Sequence, residues 1–442
     1  MPEHPRWSSV QQECSLVMQP SRTEQSTPIR QLPTRAISPG HVLIANWLAY
    51  ATLYFPRLAF AASKLGLLAD PSLSLTRALL GVADAAFLTV YAAGQFVSGT
   101  LAERIGPRRL VVLGLFSAGL AAGTLALAPE PWFLLAVIVL QGAAQSTGWV
   151  AVCSDVARST PVERRGTVFG LLSTSYAFGA LAAPVFLGWI AYSLIGNWRA
   201  APAASTLLAV TVAALYGWWL AARQQPPGQP GQQRDSPSAD PRRRVVRNPT
   251  VWMLGLADVL LKPVIYATVF WTPVLVRDAL PQLTPTAATA LAGLLGLAGL
   301  AGPVVAGTLS DRFFAARRLL PASLALFGCA DTLSLFPLAA STGHWWLVAI
   351  DLLVLGVTLY AAESLVVGVA AAEAGGRDAA VTVGIVNGVG SVGGILGGLV
   401  PGLLIGTPLF LALAAMTLVA WFLLLPLARR ERVKSLASFE PR

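Results

Sequence analysis

Seven ionisable side chains interrupt apolar stretches of this chain: Arg57, Asp84, Asp258, Lys262, Asp331, Asp351 and Glu363. A charge in the middle of a membrane-length apolar run costs roughly 2.5–3.5 kcal/mol on insertion scales, so it normally faces a wet cavity or a partner. Arg57 has the most specific chemistry of the seven. Its guanidinium is a rigid fork of donors that suits a phosphate or carboxylate. The competing reading is an arginine that snorkels to headgroups or pairs with an acid. Asp258 and Lys262 stand four residues apart, the spacing at which a helix lets them neutralise each other. Asp84, Leu88, Tyr91 and Gln95 recur on one helical face, which makes Asp84 either a partner for Arg57 or a carrier of protons. Asp258 and Glu363 are the other proton-coupling candidates. Asp351 follows Trp345 and Trp346 closely and is expected to be wetted near the end of its run. The residues expected to touch a substrate are Arg57, Tyr54, Gln95, Gln145, Trp149, Tyr176, Lys262 and Tyr266, with Tyr50, Tyr91 and Tyr360 as further lining.

The elements that must position these groups are legible from hydropathy. The chain has 442 residues, of which 55% are hydrophobic and only 12% charged, half the charge of a typical soluble domain. Its mean hydropathy is +0.64. Twelve apolar runs lie between residues 41 and 427, each near the roughly 20 residues that cross a bilayer as a helix. Helices satisfy their own backbone in lipid, so the expected fold is an all-α polytopic bundle. The organisation reads as a disordered tail over 1–40, six helices over 41–222, a flexible linker over 223–249, six helices over 250–427 and a tail over 428–442. The linker is rich in Gln, Pro, Gly and Arg, a composition that does not build a core.

The net charge of +10 does not point to nucleic acid. With the N-terminus placed in the cytoplasm, 25 of the 31 Lys and Arg fall on cytoplasmic segments and four on outer loops, namely Lys64, Arg77, Arg199 and Arg277. That asymmetry predicts both termini on the cytoplasmic side, with the basic surplus against anionic lipid headgroups. Cys14, Cys153 and Cys329 are too few and too scattered for a disulfide framework or a metal site, and no cofactor loop or nucleophile–base set is apparent.

A short motif occurs twice, 208 residues apart: Gly99-Thr100-Leu101-Ala102-Glu103-Arg104 and Gly307-Thr308-Leu309-Ser310-Asp311-Arg312. Each copy is followed by a pair of arginines, Arg108-Arg109 and Arg317-Arg318, and each joins two apolar runs. A duplicated six-helix unit is characteristic of secondary transporters. Glycine at the head of the motif lets two helices approach. The carboxylate can pair with a basic group or a helix N-terminus. The expected role of Gly99, Glu103, Arg104, Gly307, Asp311 and Arg312 is gating. Seven glycines between Gly384 and Gly398 predict a closely packed, bendable helix; with no Lys after them and no strand before, they are not a phosphate loop.

The duplicated motif resembles the loop signature of the major facilitator superfamily. Across residues 45–205 the likeness is closer. Tyr50-Ala51-Thr52-Leu53-Tyr54-Phe55-Pro56-Arg57, Tyr91-Ala92-Ala93-Gly94-Gln95-Phe96, Gln141 to Trp149 and Glu163-Arg164-Arg165-Gly166 are similar to the organophosphate:phosphate antiporters. The resemblance implies twelve helices in two pseudo-symmetric halves, a midplane site, alternating access, and a phosphate-binding role for Arg57. It also exposes departures. The family's second arginine, on helix seven, falls at Ile265. Its helix-two lysine falls at Gln95, and its His-Asn pair at Ser175-Tyr176. A monoanionic ligand therefore fits at least as well as a dianionic ester. The sequence predicts a monomeric secondary transporter of a small organic anion in the cell membrane, exchanging phosphate or coupled to protons. A membrane ligand sensor and a drug or metabolite exporter are the alternatives.

Overall fold

A computed structural model describes residues 38–127, 130–161, 164–221, 241–314 and 318–437. The tail before residue 38, most of the expected linker, Cys14, Glu163 and Arg317 lie outside the described residues. Twelve long helices account for nearly all of the described chain: α1 (Pro39–Ala69), α2 (Arg77–Ile105), α3 (Pro107–Ala126), α4 (Pro131–Ser159), α5 (Arg165–Gly188), α6 (Ala200–Ala221), α7 (Pro249–Ala279), α8 (Pro285–Phe313), α9 (Leu319–Ser341), α10 (Trp345–Glu363), α11 (Ala379–Leu403) and α12 (Thr407–Ala437). Wide π-turns extend α5 over Trp189–Leu194 and α10 over Ser364–Ala370. Eleven of these helices are long and apolar enough to cross a membrane; α1, which carries Arg57 and Lys64, packs among them. The end of the expected linker forms a short helix, Pro241–Val246. It is tied down by Arg244, 3.3 Å from Asp378.

Capping and proline explain several boundaries. Pro39, Pro107, Pro131, Pro249 and Pro285 open their helices in the first turn, where a missing N–H costs nothing. Thr76 and Thr284 cap α2 and α8 by accepting from the amides of Leu79 and Ala287. Pro56 lies inside α1 and breaks the ladder there. The side-chain amide of Gln145 donates to the carbonyl of Leu53 at 3.1 Å, and that of Gln141 to the carbonyl of Pro56. These two glutamines splint α1 against α4 at Pro56 and one turn before it, next to Arg57.

The packing repeats from one half to the other. In the first half α1 packs on α5 and α6, α2 on α4, and α3 on α4 and α6. In the second, α7 packs on α11 and α12, α8 on α10, and α9 on α10 and α12. Adding six to each helix number maps the first set onto the second. The halves meet along α2–α11 and α5–α8, which exchange under the same pseudo-twofold.

Both seams are tight at one end and splayed at the other. A Cβ on Gly81 would meet Gly402 Cα at 2.9 Å, and one on Gly398 would meet Ala85 N at 2.6 Å; further along α11, Gly388 meets only the Phe96 ring at 3.9 Å and Gly384 meets nothing. On the other seam Gly296 lies on the backbone of Leu181, with a Cβ distance of 2.1 Å, while Gly170 and Gly307 face open space. The tight end is the one opposite the chain termini. It is also stitched by Arg77 of α2, which clasps Asp278 of α7 at 2.6 Å, and by Ser193 against Thr286 at 2.6 Å. Beyond the membrane-length helices at that end, Asp70 accepts from Ser72, from the Trp198 indole and from Arg199. The Ser72 hydroxyl first, then Trp198, hold its carboxyl down to about 2.

Within the second half, α11 lies on α7 through glycines: a Cβ on Gly393 would fall 1.9 Å from the carbonyl oxygen of Val259. Backbone cannot yield as a flexible side chain does. Gly393→Ala is expected to force the two helices apart and cost about 1–3 kcal/mol. A fall in unfolding temperature in detergent, absent from a Gly384→Ala control in open space, checks this.

Candidate functional site

The centre of the bundle gathers residues from both halves. Arg57, one residue past the α1 break, holds its guanidinium carbon 4.6 Å from the centre of the Tyr91 ring and 5.5 Å from that of Tyr54. Tyr266 of α7 and Tyr50 are its further electrostatic neighbours. Among the described residues no carboxylate lies within ion-pair distance of it. Tyr50 packs on Trp149 at 4.9 Å and edge-on against Tyr54 at 5.9 Å. Across the interface, Lys262 of α7 donates to Glu363 of α10 at 2.6 Å. Tyr176 of α5 faces that pair, and Tyr360 lies within reach of Tyr54, Tyr176, Tyr266 and Glu363. Six of the chain's eight tyrosines thus converge on a space bounded by one arginine and one lysine–glutamate pair. Their ring faces favour a cation's flank, and their hydroxyls supply donors and acceptors beside it.

The structure brings Arg57, Tyr54, Tyr176, Lys262, Tyr266 and Glu363 near one another, with Asp258 buried behind Lys262. Trp149 stands behind Tyr50. Gln95 is half-buried on α2, one turn from Tyr91. The Gln145 amide is engaged by the α1 backbone. Ile265 and Ser175 are buried, the Ser175 hydroxyl donating to Leu172 of its own helix at 2.5 Å.

Two pairings and two placements differ from the sequence expectation. Lys262 turns to Glu363, not to Asp258. Asp258 is 0% exposed, with neither carboxyl oxygen hydrogen-bonded, and a Cβ on Gly390 would sit 1.8 Å from its Oδ2. The glycine-rich α11 thus lies directly on the Asp258 side chain, behind the lysine. Asp84 pairs with Lys64, not Arg57. Lys64 belongs to α1 and is 0% exposed, so it is not an outer-loop residue. Its ammonium also donates to the carbonyl of Phe270 in α7 at 3.0 Å and lies 4.1 Å from the Trp271 ring. A buried ion pair of the first half is thereby hydrogen-bonded to the second half at the closed end. The sequence signal was weak: Lys64 lies in the mostly apolar stretch Ala59 to Ala69, but between Ser63 and Gly66, which read as a turn. Asp351 is buried, not wetted, with its Oδ2 unpartnered. Asp84 and Arg57 share a cavity about one water molecule in size, lined also by Phe60, Phe87, Gln141 and Phe270.

The duplicated motif lies at the splayed end. Asp311 pairs with Arg318 at 2.5 Å, and Arg318 also reaches Glu373 at 3.0 Å. Glu431 accepts from the backbone amides of Arg318 and Leu319, which pins α12 to the same corner. In the first half Arg108 is held instead by Asp155 of α4 at 2.7 Å, with Asn46 of α1 on the other oxygen at 2.8 Å. Glu103, Arg104 and Arg312 are exposed there. If the motif gates, Asp311→Asn releases Arg318 and slows the conformational cycle. The expected result is a several-fold lower transport rate with unchanged substrate affinity. An unchanged rate would remove the gating role.

Two pseudo-symmetric six-helix halves packed along two equivalent seams define a transporter architecture. The chain belongs to the Major Facilitator Superfamily, whose family model matches residues 42–312 and 281–441, and it is a multi-pass membrane protein. It is 27% identical over 363 residues to the membrane sensor protein UhpC of Salmonella typhimurium, covering 77% of this chain and 79% of that protein. It is 24% identical over 377 residues to a probable hexose phosphate transport protein of Chlamydia trachomatis, with 77% and 79% covered. A 110-residue stretch, 24% of the chain and 22% of the relative, is 34% identical to a putative glycerol-3-phosphate transporter of Arabidopsis thaliana. These relatives agree with the resemblance to the organophosphate:phosphate antiporters. The fold matches a bacterial homologue of the human lysosomal transporter Spinster in its inward-facing, unoccupied conformation, with TM-score 0.69, 17% identity, and 90% and 98% of the two chains covered.

Proposed function

We propose that this protein moves a small organic anion across the cell membrane by alternating access, and that Arg57 reads the anionic group. The observation that carries the reading is a half-buried arginine at the interface of the halves with no carboxylate partner among the described residues, ringed by tyrosines. An unsatisfied guanidinium there is a place for a ligand's oxygens. The relatives named for hexose phosphate and glycerol 3-phosphate support an organophosphate. The loss of three of the family's four polar anchors supports a less highly charged one. We read the chain as a transporter and not an enzyme, with both termini cytoplasmic, six-helix units over 41–222 and 250–427, and a monomer as the working unit. With that orientation the closed end faces outward and the site opens to the cytoplasm.

Anion exchange in proteoliposomes tests this. Vesicles loaded with labelled phosphate are presented with phosphate esters or carboxylates outside. Ester-driven phosphate efflux establishes exchange. A response only to a pH gradient establishes proton coupling, and its persistence in Asp84→Asn/Glu363→Gln excludes both of those carboxylates as carriers. The second reading is a ligand sensor, favoured by the name of one relative that aligns along most of the chain. Saturable ligand binding without any transmembrane flux would establish it.

A further inference from the structure

We infer that Glu363 is a built-in counter-anion that limits the substrate to a single negative charge: while it holds Lys262, the site offers, among the described residues, one free cation, Arg57. The inference rests on the anion reading of the same site. Three observations carry it.

The first is the charge on the cavity face. Among the described residues the charged groups on that face are Arg57, Lys262 and Glu363, net one positive; Asp84, which shares a small cavity with Arg57, is neutralised by Lys64. Lys262 is nine-tenths buried and its ammonium is already engaged at 2.6 Å, whereas the Glu363 side chain is 25% exposed and so borders the open space. A second anionic oxygen on a ligand must displace Glu363 from Lys262 or meet it as a like charge. Like charges brought together in a low-dielectric site cost several times what they cost in water.

The second observation is the alternative seat. Asp258 lies one turn before Lys262 but is sealed behind it by Gly390. It is 0% exposed, so a ligand does not reach it, yet the ammonium can swing to it along the same helix. Lys262 therefore has two resident carboxylates competing with any incoming anion. The third observation is the backbone. Glu363 is the last residue before the π-turn Ser364–Ala370. Such bulges recur at functional sites and let a helix change register locally, which is what a displaceable side chain requires.

The test compares two probes of similar size at pH 8, methyl phosphate as dianion and dimethyl phosphate as monoanion, by calorimetric titration of the purified full-length protein. The wild type is expected to bind dimethyl phosphate at least as tightly as methyl phosphate. Glu363→Gln is expected to move the affinity ratio toward methyl phosphate by about tenfold, the scale of one charge-assisted hydrogen bond. Asp258→Asn/Glu363→Gln, which also removes the second seat, is expected to move it at least as far. Adding Lys262→Met to Glu363→Gln is expected to return the ratio to that of the wild type. Binding with a ratio unchanged in both glutamate variants overturns the charge-setting role and leaves the anion site standing. Binding of neither probe by any variant overturns both.

Discussion

Arg57→Gln is expected to lower transport efficiency by at least about 100-fold while leaving the fold intact. Two charge-assisted hydrogen bonds from one guanidinium contribute roughly 1.5–3 kcal/mol each, and 2.8 kcal/mol is about a factor of 100. The fold survives because the guanidinium pairs with no carboxylate, so its removal strands no buried charge. Arg57→Lys keeps the charge and loses the fork. It is expected to fall between the two, with affinity reduced more than turnover. Exchange assays alongside unfolding temperatures in detergent check the pair. A glutamine variant that transports at wild-type rates would show that Arg57 merely packs between Tyr54 and Tyr91.

The opposite pattern is expected at Lys64 and Asp84. Both are fully buried, and they neutralise each other across α1 and α2. Removing one partner of such a pair typically destabilises by 3–5 kcal/mol, because the other is left uncompensated. Asp84→Asn leaves the ammonium with a single carbonyl, that of Phe270, and three ring faces. We expect about 3–5 kcal/mol of lost stability, read as a large drop in unfolding temperature. Lys64→Met/Asp84→Leu removes both charges and should recover most of it. The double variant separates stability from mechanism. It also deletes the Lys64–Phe270 link between the halves, so the closed end should open more readily, read as faster labelling of a cysteine placed at Phe270. Restored stability with no gain in labelling would confine the ion pair to a structural role.

These two sites stand two turns apart on α1, which explains why one helix carries two basic residues with opposite fates. Arg57 falls just after the Pro56 break, where Gln141 and Gln145 tie the α1 carbonyls to α4, and its guanidinium is left among tyrosines. Lys64 falls deeper in the closed end, against the C-terminal part of α7. There the splayed seam has narrowed and a carboxylate from α2 is adjacent.

The sequence by itself determined the class of molecule. Twelve apolar runs admit only helices in lipid. A motif repeated 208 residues apart requires two equivalent halves, and an arginine stranded in the first apolar run requires an aqueous or liganded site. The first two of these survive because each depends on one segment at a time, where periodicity and burial cost are local. The charge pairing was decided only by the tertiary structure. Spacing along α7 favours Asp258 as the partner of Lys262, and helical geometry permits it. But α11 packs its glycines onto Asp258, while α10 presents Glu363 to the open side, so the lysine turns to a neighbouring helix of its own half. The Lys64–Asp84 pair is likewise a contact between helices, and Lys64 reads as a loop residue until the length of α1 is known. Ion pairs between helices depend on which faces the packing brings together. In a bundle whose surfaces are all apolar, hydropathy carries no record of that choice, and the small residues that set it act through shape alone.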